Sequence, residues 1–308
     1  EGGNYSRKKR STLDPMSQAV ASLSIDLDGI RHYRAIHGLK PKSGPDPFLT
    51  EGLDRFLELC ESFAIPATLF VVTEDLDDPE FARRIRHAAK AGHEIASHSH
   101  HHDYNFSTQS PAEIQAELYR SRQAIRHVVR KLPKGFRAPG YNLSPALKDA
   151  LVKVGFTYDS SMLPSPLYWA ARAAVISGKS LTSRPSASLI GRPKDFFVDG
   201  TPHRLDNGLI ELPMTGALGI PWIGSLVVTS PLASLVTRIV TRQKAPIDLE
   251  LHAIDLCSAD QVEPELIEVR RDLQVPISIR QRRLERTLQK LVRSRRFRPL
   301  CDVAEAYR

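Results

Sequence analysis

Short runs of β-forming residues alternate with helical patterns along most of the chain, and the helices share a starting mark, a polar residue followed by proline. The pairs are Asp78-Pro79, Ser110-Pro111, Ser144-Pro145 and Ser230-Pro231. A side-chain oxygen there takes an orphan N–H of the first helical turn, and proline fits the next position because its missing N–H is not needed. Glu113, three residues after Ser110, completes a capping box ahead of a long helix ending near Arg130. Between the helices the β-type runs fall at 20–26, 66–73, 93–98, 134–137, 155–159, 208–212 and 247–252. This alternation predicts βαβ units around a parallel sheet and excludes a sandwich.

A chain of 308 residues has room for one α/β barrel or for two small domains. With no internal repeat, a single αβ domain over 16–308 is expected, with residues 1–15 a disordered arm or cloning remnant. One irregular, proline-rich insertion is expected at about 163–230, either covering the core or shaping a substrate pocket as a lid. The hydrophobic share of 41% and charged share of 25% are ordinary for a soluble protein. No run approaches the ~20 apolar residues of a membrane span. Three widely spaced cysteines, Cys60, Cys257 and Cys301, suit a reducing compartment. The basic run Lys8-Lys9-Arg10 lacks the apolar stretch of a signal peptide, so a cytoplasmic protein is expected. Much of the net charge of +8 lies between Arg280 and Arg298, which predicts a basic face on a peripheral helix. No nucleic-acid motif accompanies that charge, and no nucleic-acid partner is expected.

Four places carry chemistry. In Ser24-Ile25-Asp26-Leu27-Asp28-Gly29, strand alternation puts Asp26 and Asp28 on one side, about 7 Å apart. Two carboxylates held together need a cation or an acid–base task, unless they are exposed loop acids past the strand end. In His98-Ser99-His100-His101-His102, His98 and His102 can reach one ion if the chain makes a helical turn after Ser99; otherwise the run is a solvated cluster. Asp28, His98 and His102 supply the three ligands that a catalytic zinc or other divalent ion requires. Strand ends in a barrel meet at one rim, so these ligands can converge, leaving Asp26 as the general base.

Arg137, in Gly135-Phe136-Arg137-Ala138-Pro139-Gly140-Tyr141, either pairs with Asp26 or is a surface arginine before a turn. The Pro139-Gly140 turn offers a backbone N–H to an oxyanion. His252 ends the strand Leu249-Glu250-Leu251-His252, where it is either structural or a general acid for a departing amine. Asp159 either orients that imidazole or caps the next turn.

Together these motifs resemble the polysaccharide deacetylase family, the NodB homology domain, over roughly residues 20–257. Asp26-Leu27-Asp28 is similar to the Asp-x-Asp form of its first motif. His98, Ser99 and His102, approached by Gly92-His93-Glu94-Ile95, match its His-(Ser/Thr)-x-x-His motif. Arg137 with Pro139 matches Arg-x-Pro, and Leu249 with His252 matches Leu-x-x-His. The resemblance implies a distorted (β/α) barrel with fewer than eight strands. It implies Asp26 as base, a metal on Asp28, His98 and His102, the Gly140 N–H at the oxyanion, and His252 as acid partnered by Asp159. The reaction it implies is removal of an acetyl or formyl group from an amino sugar. Relatives with the Asp-x-Asp form include deformylases of lipid-linked amino sugars. The apolar insertion and basic C-terminal helix suit such a substrate at a membrane surface. Hydrolysis of a small cyclic amide or formamide is the alternative within the fold, and a non-catalytic barrel binding glycans or membrane surfaces is the alternative outside it.

Overall fold

The computed structural model describes residues 19–41, 44–181 and 200–308. The expected arm at 1–15, and 182–199 within the expected insertion, lie outside the described residues. The strands are β1 (Val20–Leu27), β2 (Thr68–Val71), β3 (Glu94–Ser97), β4 (Gly135–Phe136), β5 (Tyr158–Asp159), β6 (His203–Arg204), β7 (Ile210–Glu211), β8 (Gly216–Ala217), β9 (Ile220–Pro221), β10 (Ile247–His252) and β11 (Arg296–Phe297). Every β-type run expected from the sequence contains one. Seven of them lie parallel in the order β10-β1-β2-β3-β4-β5-β7, which is the expected barrel with fewer than eight staves. β6 is antiparallel to β7, and β11 pairs with the start of β1.

The sheet is a distorted barrel because, among the described residues, no ladder joins β7 to β10. The chain between them fills that side. Thr215 Oγ1 accepts from the Asp248 N–H at 2.8 Å, and Ile223 bridges to Glu250. The region expected as an insertion therefore supplies a stave, β7, and closes the wall.

The helices are α1 (Ile30–Ile36), α2 (Leu53–Phe63), α3 (Pro79–Lys90), α4 (Pro111–Val129), α5 (Pro145–Val154), α6 (Pro166–Leu181), α7 (Gly224–Thr229), α8 (Ala233–Val240), α9 (Pro264–Val269), α10 (Arg271–Gln274), α11 (Ile277–Val292) and α12 (Leu300–Glu305). Asp78, Ser110 and Ser144 cap α3, α4 and α5 through their side chains, and Glu113 closes the capping box. Ser230 differs. Its hydroxyl accepts from the Leu232 N–H inside a turn, and α8 begins only at Ala233.

β1 shows how the sequence divides the barrel. Ala21, Leu23, Ile25 and Leu27 belong to the main apolar core. Ser22, Ser24 and Asp26 are equally buried but alternate to the other face, toward the barrel axis. β10 repeats the pattern with Asp248, Glu250 and His252, each paired in register with a polar residue of β1. The interior is thus polar near the rim. The opposite end is sealed by α12, where Leu300 and Val303 pack against Phe70 and Tyr158. Burial of each such side chain contributes roughly 1.5–3 kcal/mol, which holds in place a helix of 6 residues too short to form alone. Thr68 Oγ1 and Glu94 Oε2 take the backbone N–H groups of Leu300 and Cys301, both at 2.9 Å.

The expected basic face is smaller than the charge count implies. Arg280 is buried and donates to the carbonyls of Ile254, Asp255, Cys257 and Val275, clamping the loop after β10. Arg295, also buried, donates to the carbonyls of Val20, Ala245, Thr241 and Gln243. Arg282, Arg286, Lys290 and Arg293 are exposed.

Candidate active site and metal centre

The C-terminal ends of β1, β3, β4 and β10 bring their polar residues to one rim. Asp28 follows β1, and Gly29 after it has an ordinary φ of −66°. Glycine is needed there for closeness. A Cβ would lie 2.6 Å from an oxygen of Asp46, whose carboxylate takes the N–H groups of Ile30, Phe48 and Leu49.

Asp28 Oδ1 lies 3.2 Å from Nε2 of His98 and 3.2 Å from Nε2 of His102. All three residues are buried, with ligand atoms within 4.8 Å of one another. His98 Nδ1 sits 2.8 Å from the Arg137 carbonyl. A carbonyl only accepts, so Nδ1 carries the proton and the Nε2 lone pair faces Asp28. His102 is held by rings: those of His32, His98 and Tyr104 lie 4.3, 4.8 and 5.0 Å from its own. Burial, reinforced by His102, keeps the His32 imidazole well below its usual pKa, so it adds no positive charge beside the site. Burial alone would raise the Asp28 pKa, but His102 and His98 outweigh it and hold the carboxyl well below its usual range.

A divalent cation fits this donor set. Asp28 Oδ1 and both ring nitrogens of His102 are buried without hydrogen-bond partners, a costly arrangement that a cation would relieve. The histidines reach it without the expected helical turn. Ser99 and His102 take left-handed φ values of 65° and 58°. The Ser99 hydroxyl accepts from the His102 N–H at 3.0 Å. Serine side chains compete with helical hydrogen bonding in this way.

Glu117 of α4 fixes the same loop. Its Oε1 accepts from the N–H groups of His100 and His101 at 2.9 and 2.7 Å. Glu117→Ala is expected to weaken divalent-metal affinity by about 10–100-fold, as loss of a supporting partner commonly does. Calorimetric titration with zinc checks this, and unchanged affinity would refute the bracing role.

Arg137 is fully buried at the centre of the polar interior. Its guanidinium donates to Asp26 Oδ1 at 2.7 Å, Asp248 Oδ2 at 3.2 Å, Ser24 Oγ at 3.1 Å and the Ser160 carbonyl at 2.9 Å. It also stacks on Phe70, 4.0 Å from the ring centre. The paired arrangement with Asp26, rather than the surface one, is what the structure contains. Asp26 Oδ2 has no hydrogen-bond partner and lies 3.8 Å from His98 Nε2. Gly140 adopts φ 61° and lines the cleft. A Cβ there would meet the ring of Tyr104 at 2.9 Å.

His252 stands on the same rim, its Nε2 3.9 Å from Asp28 Oδ2. Its carboxylate neighbour is Glu250, with Nδ1 3.3 Å from Oε1. The Tyr141 hydroxyl donates to that same oxygen at 2.8 Å. Burial would lower the His252 pKa, but Glu250, Asp28 and Asp26 together raise it to about 9. Burial raises Glu250 to about 7, with His252 opposing and Asp26 reinforcing the shift.

Asp159 does not orient His252, contrary to the sequence expectation. It takes the other part that the sequence offered, holding the turn after β5, where the Ser161 N–H donates to its Oδ2 at 3.2 Å. Its carboxylate also accepts from Ser161 Oγ at 2.7 Å, and Ser161 Oγ in turn accepts from the Ala138 N–H at 2.8 Å, which braces the turn after Arg137. Burial and the facing Asp159 push the Glu211 carboxyl well above its usual range.

These groups open into a cleft of about 380 Å³. Its walls include Tyr33, Tyr104, Tyr141, Tyr168 and Arg172. α6 of the expected lid supplies Tyr168 and Arg172, so that region lines the pocket as well as closing the barrel. A larger cavity of about 700 Å³ opens where α3 and α4 end, lined by Arg86, Lys90, Arg130 and Lys131. Basic side chains there offset the negative ends of the two helices, and the metal and acid–base cluster lies elsewhere.

Residues 43–158 match the polysaccharide deacetylase family model, a span holding the histidine loop and Arg137 but neither β1 nor β10. The chain is 26% identical over 152 residues to a peptidoglycan deacetylase of Helicobacter pylori, covering 47% of this chain and about half, 50%, of that protein. Its fold is that of a candidate polysaccharide deacetylase from Mycobacterium smegmatis, with TM-score 0.60, 17% identity, and 96% and 92% of the two chains covered. The PuuE allantoinase gives TM-score 0.60 at 15% identity, with 94% and 91% covered. Over residues 43–158 the chain is thus similar to the polysaccharide deacetylases, and its fold is the one their solved structures share.

Proposed function

We propose that the protein is a metal-dependent hydrolase that removes an acetyl or formyl group from the nitrogen of an amino sugar. The observation that carries this reading is the convergence of Asp28, His98 and His102 with Asp26 and His252 at one rim. A divalent cation, zinc being one such ion, supplies when bound a Lewis acid for the acyl oxygen and an acidified water. Asp26 accepts the proton of the attacking water through Oδ2, since Arg137 occupies Oδ1. The Gly140 N–H donates to the oxygen that gains negative charge. His252 then gives a proton to the departing nitrogen.

The aromatic walls of Tyr104, Tyr141 and Tyr168 support a sugar over a small cyclic amide, because a pyranose presents flat apolar faces to stack on them. The peptidoglycan deacetylase relative supports the same class. A lipid-linked sugar is favoured by a pair of exposed leucines. Leu167, 58% exposed, starts the helix that lines the cleft, and Leu218 is 71% exposed at the β8–β9 turn. Leu218 adopts φ 56°, a costly conformation for a bulky residue. Among the described residues no helix is long and apolar enough to cross a membrane, so peripheral contact is the mode proposed.

The test is mass spectrometry of N-acetyl and N-formyl amino sugars, free and linked to a polyprenyl phosphate, after incubation with the metal-loaded protein. Loss of the acyl mass is expected, fastest on the lipid-linked form. No mass loss from any of these substrates would overturn the reading.

A further inference from the structure

The proton donor of a deacylase must hold one ring nitrogen toward the leaving amine, and an imidazole on a strand end can flip or change tautomer unless its other nitrogen is fixed. His252 is the member of the rim cluster that reaches the cleft surface, its side chain 22% exposed against 1% for Asp26 and 7% for Asp28. Its Nε2 faces the cluster and its Nδ1 faces Glu250. Glu250 is itself immobile. It lies two residues earlier on the same strand face, is 1% exposed, and is pinned by register to Ser24 and by the bridge to Ile223. Tyr141, from the turn that carries Gly140, donates to the same Oε1.

We propose that Glu250, held by Tyr141, is the positioning residue that fixes the His252 ring with Nδ1–H toward its carboxylate and Nε2 toward the leaving nitrogen. Resting on the deacylase reading, this gives Glu250 the part that the sequence assigned to Asp159. A carboxylate only accepts, so the nitrogen beside it must carry hydrogen. Because Tyr141 and Gly140 are adjacent, the hydroxyl of one ties the proton donor to the turn that supplies the oxyanion N–H.

The test compares the metal-loaded full chain with Glu250→Leu, Glu250→Gln and Tyr141→Phe. Nitrogen-15 NMR of the His252 ring, recorded at a pH high enough for the ring to be neutral, is expected to show Nδ1–H in the parent protein and a mixture of tautomers in Glu250→Leu. Glu250→Gln, whose amide oxygen still accepts, is expected to restore most of the Nδ1–H form. Turnover of an amide substrate should fall by about 10–100-fold in Glu250→Leu. Hydrolysis of 4-nitrophenyl acetate, whose leaving group needs no proton, should stay within about 3-fold. Tyr141→Phe should fall between parent and Glu250→Leu on the amide. Equal losses on amide and ester, or an unchanged tautomer in Glu250→Leu, would overturn the assignment. If the parent protein turns over neither substrate, the deacylase reading fails, and the NMR comparison alone decides the role of Glu250.

Discussion

Asp26→Asn is expected to lower deacylation by about 10²–10⁴-fold, the range that a positioned general base contributes, while metal content stays at the parent level. The split follows from the geometry. The fully buried ligand cluster is Asp28, His98 and His102, while Asp26 groups instead with Glu250 and His252, the residues assigned here to proton transfer. Asparagine keeps an oxygen for the Arg137 contact at 2.7 Å, so the packing around the guanidinium survives. What is lost is an oxygen able to take a proton from water. His98→Ala should behave differently, losing metal and turnover together, because its Nε2 is one of the three donor atoms. Metal analysis of the purified variants beside their turnover rates checks both halves. An Asp26→Asn protein with parent activity would remove Asp26 from the chemistry.

The largest expected effect on stability is that of Arg137→Met. The guanidinium is fully buried and lies against two carboxylates, Asp26 and Asp248, at 2.7 and 3.2 Å. Methionine fills much of the volume but leaves both acids in the dry interior with no cation. Breaking a buried pair in this way costs about 3–5 kcal/mol, a large part of the 5–15 kcal/mol that holds a typical protein folded. The urea midpoint should fall accordingly. Arg137→Lys should recover only part of the loss, since a single ammonium cannot also reach Ser24 and both acceptors of Ser160. A midpoint within error of the parent would show that the interior acids find other partners.

Much of this was legible in the sequence, for local reasons. Each stave is a short β-type run, three of the four cap-proline pairs cap helices, and the metal-ligand candidates lie in two short motifs at strand ends. What was not legible depends on which strands become neighbours. Asp159 and His252 both end strands, yet Asp159 is taken up by Ser161 two residues on and Glu250 stands beside the imidazole. Glu250 has no motif of its own, although Asp248-Leu249-Glu250-Leu251-His252 alternates strictly and implies three polar groups on one face. The spacing of His98 and His102 was read through a helical turn, and side-chain hydrogen bonding by Ser99 produced the same convergence another way. The C-terminal charge suggests a surface, while Arg280 and Arg295 turn inside, where several backbone carbonyls converge on each guanidinium.

The pairing of β1 with both β10 and β11 bears on how the protein comes to be made. Ser24 and Asp248, hydrogen-bonded at 2.7 Å, are 224 residues apart in the chain. During synthesis, β1 leaves the ribosome early with Asp26 and Asp28 on a strand that has only β2 for company. The stave carrying the proton donor follows much later, so the centre is assembled by the last long-range contacts to form, which are the slow ones. Until then an unpaired edge of β1 stands open to other chains. A nascent-chain series arrested before and after β10 should show protease resistance arriving late, in one step, once β10 is out.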